Sequence, residues 1–529
     1  MRSFHVPGRS PVLATSAMAA TSHPLATEVA VRMLRTGGNA LDAAIAACAM
    51  QCVVEPGSTG IGGDCFALYA PAGGRIHAFN GSGRAPAAVS RAALVDQGMN
   101  SIERHMAHAV TVPGAVDAWA RLNADHGRLG LDQLLRPAID AARHGYPVAP
   151  RTGTDWAAAH DLLARESDTR ALFLPGGQPP PIGDLHHQPQ LAQTLERIAR
   201  EGRDGFYTGP VAEEIVATLQ ARGGVHELAD FAAAAGEYVD PIAADYRGFR
   251  VWECPPNGQG VIALLLLNVF AELGSSGGPL TVERVHAEIE AAKLAYAERD
   301  ALIADPAAAD VPLASLLHPD RARALRDRID PAQAGPRRPP AMGAVNHDTV
   351  TISVVDRDGN AASFINSLFN PFGSGIFAPE SGVLLHSRGQ SFSLEDGHPN
   401  ALAPGKRPLH TIIPGMITRN DQVVMPFGVM GGHYQALGHA QFLSRLFDFG
   451  CDLQEAIDLP RFFPEPGDPG IDVEDRLAAD VISGLQQRGH QLNVGTRPIG
   501  GAQAIWIDRE RGVLVGGSDP RKDGCALGY

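Results

Sequence analysis

Between residues 306 and 350 the chain changes its period. A helical pattern is predicted over 280–304, and the stretch that follows ends in DPAQAGPRRPPAMGAVNHD, rich in Pro, Ala and Arg and poorly suited to packing. Immediately after it come TVTISVVD and NAASFINSLF, two runs of β-branched and apolar alternation around the turn DRDGN. A loose segment followed by a strand that opens on Thr349 fits an interdomain linker or a proteolytic processing site. Periodicity leaves both open.

The rest of the chain supplies material for a large mixed fold. Residues 21–56 read as two helices broken at Gly37-Gly38, with Asn39 or Asp42 placed to cap the second. Residues 64–80 alternate like a hairpin with a Gly-Gly turn, 108–240 are mainly helical, and 244–254 read as one strand. With 529 residues, 44% of them hydrophobic, the chain can bury a sizeable core as several domains or as one large α/β enzyme. The 59 Gly and 40 Pro are scattered, so they punctuate short connections and build no low-complexity tract.

Charge and motif content narrow the function. A net charge of -14 repels polyanions, which argues against nucleic acid as partner. No run reaches the roughly 18 apolar residues of a membrane span, and Pro7 and Pro11 interrupt any secretory apolar core, so a cytoplasmic location is expected. Cys48 and Cys52 lie one helical turn apart among apolar neighbours with no His or acid to complete a ligand set, so they read as core residues. His186 and His187 read as a solvated pair before a helix. The run GSTGIGGD enters a strand, the reverse of the order that phosphate binding at a helix start requires. Arg337 and Arg338 are too few for nucleic acid. No metal or cofactor is called for.

An N-terminal threonine can act as nucleophile with its own α-amine as base. It needs a free N-terminus, an orienting hydroxyl or amide, and donors for a developing oxyanion. Thr349 gains the first only if the Asp348–Thr349 bond breaks, and its hydroxyl can break that bond by attacking the preceding carbonyl to give an ester that water opens.

Several runs in order, HDTVTISVVDRDGN, FGSGIFAPESGVLL, KRPLHTIIPGM, FGVMGGH and GGSDPRKDGCALGY, resemble the γ-glutamyltransferase (γ-glutamyltranspeptidase) family of N-terminal-nucleophile hydrolases. TSHPLATEVAVRMLRTGGNALDAAIA, EPGSTGIGGD and VTVPGAVDAW fit it too, so the resemblance spans essentially the whole chain. It implies an α/β, four-layer αββα sandwich formed jointly by a large subunit (1–348, with a processing linker near 330–348) and a small subunit (349–529). It further implies Thr349 as nucleophile, Ser367 as its hydroxyl partner, and Gly431 and Gly432 as oxyanion donors, the latter because glycine permits close backbone approach.

The substrate pocket departs from the family pattern. Phe369 stands where an Asn or Glu is usual, Arg388 where a Gln or Asn is usual, and Ser391 where an Asp binds the substrate amine. His410 and Thr411 replace a serine pair, and Arg84 is the nearest match to the arginine that grips an α-carboxylate. A γ-glutamyl α-ammonium wants a carboxylate when desolvated, and these changes remove one and add a guanidinium. The expected donor therefore has a carboxylate but no α-ammonium, as in oxamate or glutaryl amides, unless Arg388 merely pairs with Glu380 or Glu395 at the surface. The short ALAPG connection before KRP implies that the lid loop is absent, which favours hydrolysis over transfer and suggests a lid-less subgroup with the oxamate amidohydrolases, glutathione hydrolase-like proenzymes and cephalosporin acylases. The alternatives are γ-glutamyl hydrolysis or transfer from glutathione, and an uncleaved idle homologue serving as a scaffold.

Overall fold

The computed structural model describes residues 8–336 and 349–529. Two seven-stranded sheets lie face to face. Edge to edge, the first runs Val12–Ala14, Val513–Ser518, Gly501–Asp508, Gln422–Met430, Gly415–Arg419, Phe249–Glu253, Ile242–Tyr246. The second runs Cys525–Gly528, Met18–Thr21, Val350–Val355, Ala361–Ser367, Asp64–Ala70, His77–Gly81, Glu237–Val239. Every pairing within these two sheets is antiparallel. Both sheets take strands from before and after Thr349, so neither half of the sequence can complete a sheet alone.

The layers follow from where the apolar side chains go. Phe66, Leu68, Ile365, Ile412, Met416 and Ile505 form the seam between the sheets. Helices Pro24–Arg35 and Ala40–Val54 cover the outer face of the second sheet, and Gly260–Ala271 and Gln435–Phe447 cover that of the first. This is the αββα sandwich. The helix Ala40–Val54 is buried along its whole length, as its nearly all-round apolar sequence requires. Asn39 is its cap, accepting from the backbone of Leu41 and Asp42, while Asp42 returns a bond to the Asn39 N–H.

Three readings of the sequence need correction. Residues 244–254 are not one strand: Arg247 (φ 51°) and Gly248 (φ 83°) turn the chain back, so Ile242–Tyr246 and Phe249–Glu253 form a hairpin. The stretch after 306 is not uniformly loose, because Pro319–Arg326 is a helix that buries Ala322 and Leu325 in the core. His186 is not solvated: its ring packs against Trp156, Tyr146 and Phe173, and burial pushes its pKa down to about 4. Cys48 and Cys52 are buried core residues, as expected. No helix among the described residues is long and apolar enough to cross a membrane.

Candidate active site

Strand register assembles the site. Val350 pairs with Asn366, which places Thr349 beside Ser367, and Ser367 pairs with Asp64 on its other side. Three adjacent strand ends thus carry Thr349, Ser367 and Asp64 at one end of the sandwich, all fully buried. The Thr349 hydroxyl donates to Ser367 Oγ at 3.1 Å, and Ser367 Oγ accepts from the Phe369 N–H at 2.9 Å. Phe369 has φ 78°, a left-handed conformation that is costly for a bulky side chain. Asp348 lies outside the described residues, as do Arg337 and Arg338.

On the facing sheet, the strand Gln422–Met430 ends at Gly431 (φ 127°) and Gly432 (φ 60°). A Cβ at Gly431 would stand 2.9 Å from Gly500 Cα, so a side chain there meets both a strained dihedral and a backbone wall. Gln259 holds this loop: its amide donates to the carbonyls of Gly432 and Thr411, and its oxygen accepts from Arg299, which also contacts His433. Gln435, the first residue of the following helix, donates to Thr349 Oγ at 3.4 Å.

Phe369, Arg388 and Thr411 meet directly. The Arg388 guanidinium lies over the Phe369 ring at 4.1 Å and donates from Nη1 to Thr411 Oγ at 3.0 Å. Arg388 is fully buried, which excludes the surface pairing with Glu380 or Glu395. Its Nε and Nη2 have no hydrogen-bond partner among the described residues, nor has Ser391 Oγ three residues along the same 3-10 turn. Burial lowers the Arg388 pKa to about 9, partly offset by Asp64, so it stays a cation at neutral pH.

Asp64 and His410 are the electrostatic floor of the site. His410 Nε2 donates to Asp64 Oδ2 at 3.0 Å, and His410 Nδ1 accepts from the Ile412 N–H. Burial and the Arg388 charge keep that imidazole neutral, its pKa lowered to about 3. Burial would raise the Asp64 carboxyl, but His386 and His410 hold it well below the usual carboxylate range. Its other oxygen accepts from the N–H groups of Gly83 and Gly114. Asp64 is therefore ionised and accepts three hydrogen bonds. Arg84, by contrast, reaches away to Asp305 and the Gly405 carbonyl and is 40% exposed.

Sequence reasoning passed over Asp64, Gln259, His386 and Gln435. Asp64 closes the EPGSTGIGGD run, which carries part of the family resemblance but points to no role for its last residue, and Gln435 follows the glycine pair by three residues. The available signal was a polar residue next to an apolar element: Asp64 opens a strand, and Gln259 and Gln435 stand at the starts of helices. One further cluster, His286, Glu290 and His490, has metal-ligand geometry. The imidazoles hydrogen-bond each other at 2.8 Å and Lys293 Nζ lies 2.6 Å from Glu290, so the cluster reads as a polar network that also holds Asp330 and Gly335.

Comparison with known proteins adds an independent line. The sequence model described as gamma-glutamyltranspeptidase matches residues 26–529. The glutathione hydrolase-like YwrD proenzyme of Bacillus subtilis is 38% identical, covering 98% of this chain and 99% of its own. The oxamate amidohydrolase proenzyme of Klebsiella pneumoniae is 35% identical with the same coverage. The crystal structure of a cephalosporin acylase from Bacillus halodurans superposes with TM-score 0.92 at 39% identity, covering 100% of this chain and 99% of that one. The chain belongs to the γ-glutamyltranspeptidase family.

Proposed function

We propose that this protein is a self-processing amidohydrolase that is cut before Thr349 and transfers a small acyl group bearing a carboxylate to water. Thr349 attacks the carbonyl preceding it, the resulting ester is opened by water, and the freed α-amine then serves as base for the same hydroxyl. Ser367 accepts the hydroxyl proton's hydrogen bond and orients the oxygen. Gly431 and Gly432 supply the oxyanion donors. The cut yields chains 1–348 and 349–529, which stay together because each sheet is built from both. The proenzyme names of the relatives support this reading.

The observation that carries the substrate class is the pair of unpartnered donors on Arg388. A buried guanidinium with an unsatisfied edge is costly, and an anionic ligand offsets that cost. Arg388 is linked to the nucleophile by a chain of contacts through Phe369 and Ser367, which supports a donor whose carboxylate lies close to its scissile carbonyl. Asp64 already accepts from two backbone N–H groups and the His410 imidazole, with the His386 ring 3.4 Å away, leaving little capacity for an α-ammonium. Ser391, whose hydroxyl is also unpartnered among the described residues, supplies a further polar group beside Arg388, and His410 fixes Asp64. Oxamate and glutaryl amides fit, and the name of the Klebsiella relative points the same way. The tight connection from Asn400 to Lys406, whose ammonium folds back on the Pro399 and Ala401 carbonyls, fits an open site and hydrolysis.

The test is turnover of oxamate and of a glutaryl anilide against the matched γ-glutamyl anilide by the processed enzyme. A preference for the donors without an α-ammonium is expected. A strong γ-glutamyl preference refutes the substrate assignment.

A further inference from the structure

We propose that Gln435 is a further catalytic residue, a fixed hydrogen-bond donor to the threonine oxygen that stabilises this oxygen when it leaves as an alkoxide. The inference rests on the reading of Thr349 as nucleophile and goes beyond it.

The geometry is directional. Gln435 is fully buried, and its side-chain oxygen accepts from the Ile413 N–H at 3.1 Å. With the carbonyl end so engaged, the amide end must face Thr349 Oγ, 3.4 Å away. Thr349 in turn sends its own proton toward Ser367. The oxygen therefore has separate partners for its two functions: an acceptor for the proton and a donor for the lone pair. The segment that contributes Gly431 and Gly432 also contributes Gln435, so one loop serves both the carbonyl oxygen and the nucleophilic oxygen of a tetrahedral intermediate. A contact of 3.4 Å is long for a neutral hydroxyl and shortens as negative charge develops.

The consequence is asymmetric. When Thr349 attacks, a donor on its oxygen lowers the pKa of the hydroxyl but also draws on its lone pair, so the two effects oppose. When water opens the ester, the water oxygen bonds to the acyl carbon and the carbon–Oγ bond breaks. The electron pair stays on Oγ, and the proton lost by water passes through the base to Oγ. Here the donor only helps. Gln435 should thus speed ester opening both in precursor cleavage and in substrate turnover, more than it speeds ester formation.

The experiment compares wild type, Gln435→Met and Gln435→Glu. Methionine keeps the volume without a donor, while glutamate keeps the acceptor for Ile413 and loses the donor when ionised. Both variants should slow processing by on the order of 100- to 1000-fold, as expected for one lost oxyanion-type donor. In Gln435→Met the ester should persist, so hydroxylamine should accelerate cleavage and leave a hydroxamate on Asp348. On the fraction that matures, a denaturing quench during turnover should find acylated small subunit, with little in wild type. Gln435→Glu should regain rate as pH falls and its carboxyl becomes a donor again, a response that a purely structural defect does not give. Processing and turnover within twofold of wild type in both variants would overturn the proposal, as would slowing without hydroxylamine sensitivity, acyl accumulation or the acid recovery. If instead Thr349→Ala is still cut at the same bond, the underlying reading fails whatever Gln435 does.

Discussion

Replacing Arg388 by methionine should make the protein more stable and less active at once. Arg388 is fully buried and holds its charge although burial lowers its pKa from the ordinary guanidinium value to about 9. At roughly 1.4 kcal/mol per decade, that depression costs about 5 kcal/mol of stability. Against it stand the stack on Phe369, about 1 to 2 kcal/mol, and the bond to Thr411, about 1 to 2 kcal/mol. Methionine of similar length removes all of these, leaving a net gain of about 1 to 3 kcal/mol. The pH dependence is fixed by the sign. A cation whose folded pKa is depressed suffers its full penalty below about pH 9 and is relieved only as pH rises above that value. The gain should therefore be flat through neutral pH and shrink above about pH 9. Denaturant midpoints of Thr349→Ala and Thr349→Ala/Arg388→Met, both uncut single chains, measure it. In the processed enzyme the same substitution should lower kcat/KM for a carboxylate-bearing donor by roughly 100-fold or more, since a buried charged partner is lost. A variant that is destabilised by several kcal/mol yet turns over the donor normally would refute the reasoning, because Arg388 would then be a satisfied structural cation.

Three further outcomes follow from the same geometry. Ser367→Ala removes the partner of both Thr349 Oγ and the Phe369 N–H, and should slow chain cleavage and kcat by about 10- to 100-fold in a gel and anilide assay. Arg84→Ala, which breaks a half-exposed contact to Asp305, should raise KM far less than Arg388→Met does; an equal or larger effect would move the carboxylate site to Arg84. Asp64→Asn should cost about 3 to 5 kcal/mol at neutral pH, since it puts a neutral amide where a buried carboxylate accepts from the His410 imidazole and two backbone N–H groups. Because the Asp64 carboxyl lies below its unfolded value, its contribution is full above about pH 4 and is lost as pH falls further, so the gap between variant and wild type should narrow in acid.

Much of this was legible in the sequence because it is local or periodic. The helix at 24–35 announces itself by spacing, the one at 40–54 by its Asn39 cap and apolar length, and the strand pair after Thr349 by alternation around DRDGN. Register then follows from the short turn, and register is what sets Thr349 beside Ser367. What the sequence hid depends on contacts between distant segments. Asp64 meets His410 across 346 positions, and Gln435 meets Thr349 across 86. Arg388 sits in a segment that alternation cannot classify, and only its burial tells a pocket cation from a surface one. The Arg247-Gly248 turn was missed because an arginine in a left-handed conformation has no sequence signature beyond the glycine that follows it.

The central claim is that Thr349 cuts the chain and then does the chemistry. Mass measurement of denatured wild type beside Thr349→Ala tests it most directly. Two fragments in wild type alone, the smaller beginning at Thr349, are predicted. A wild-type chain that stays intact while hydrolysing its substrate, or a Thr349→Ala chain that is still cut at the same bond, would contradict it.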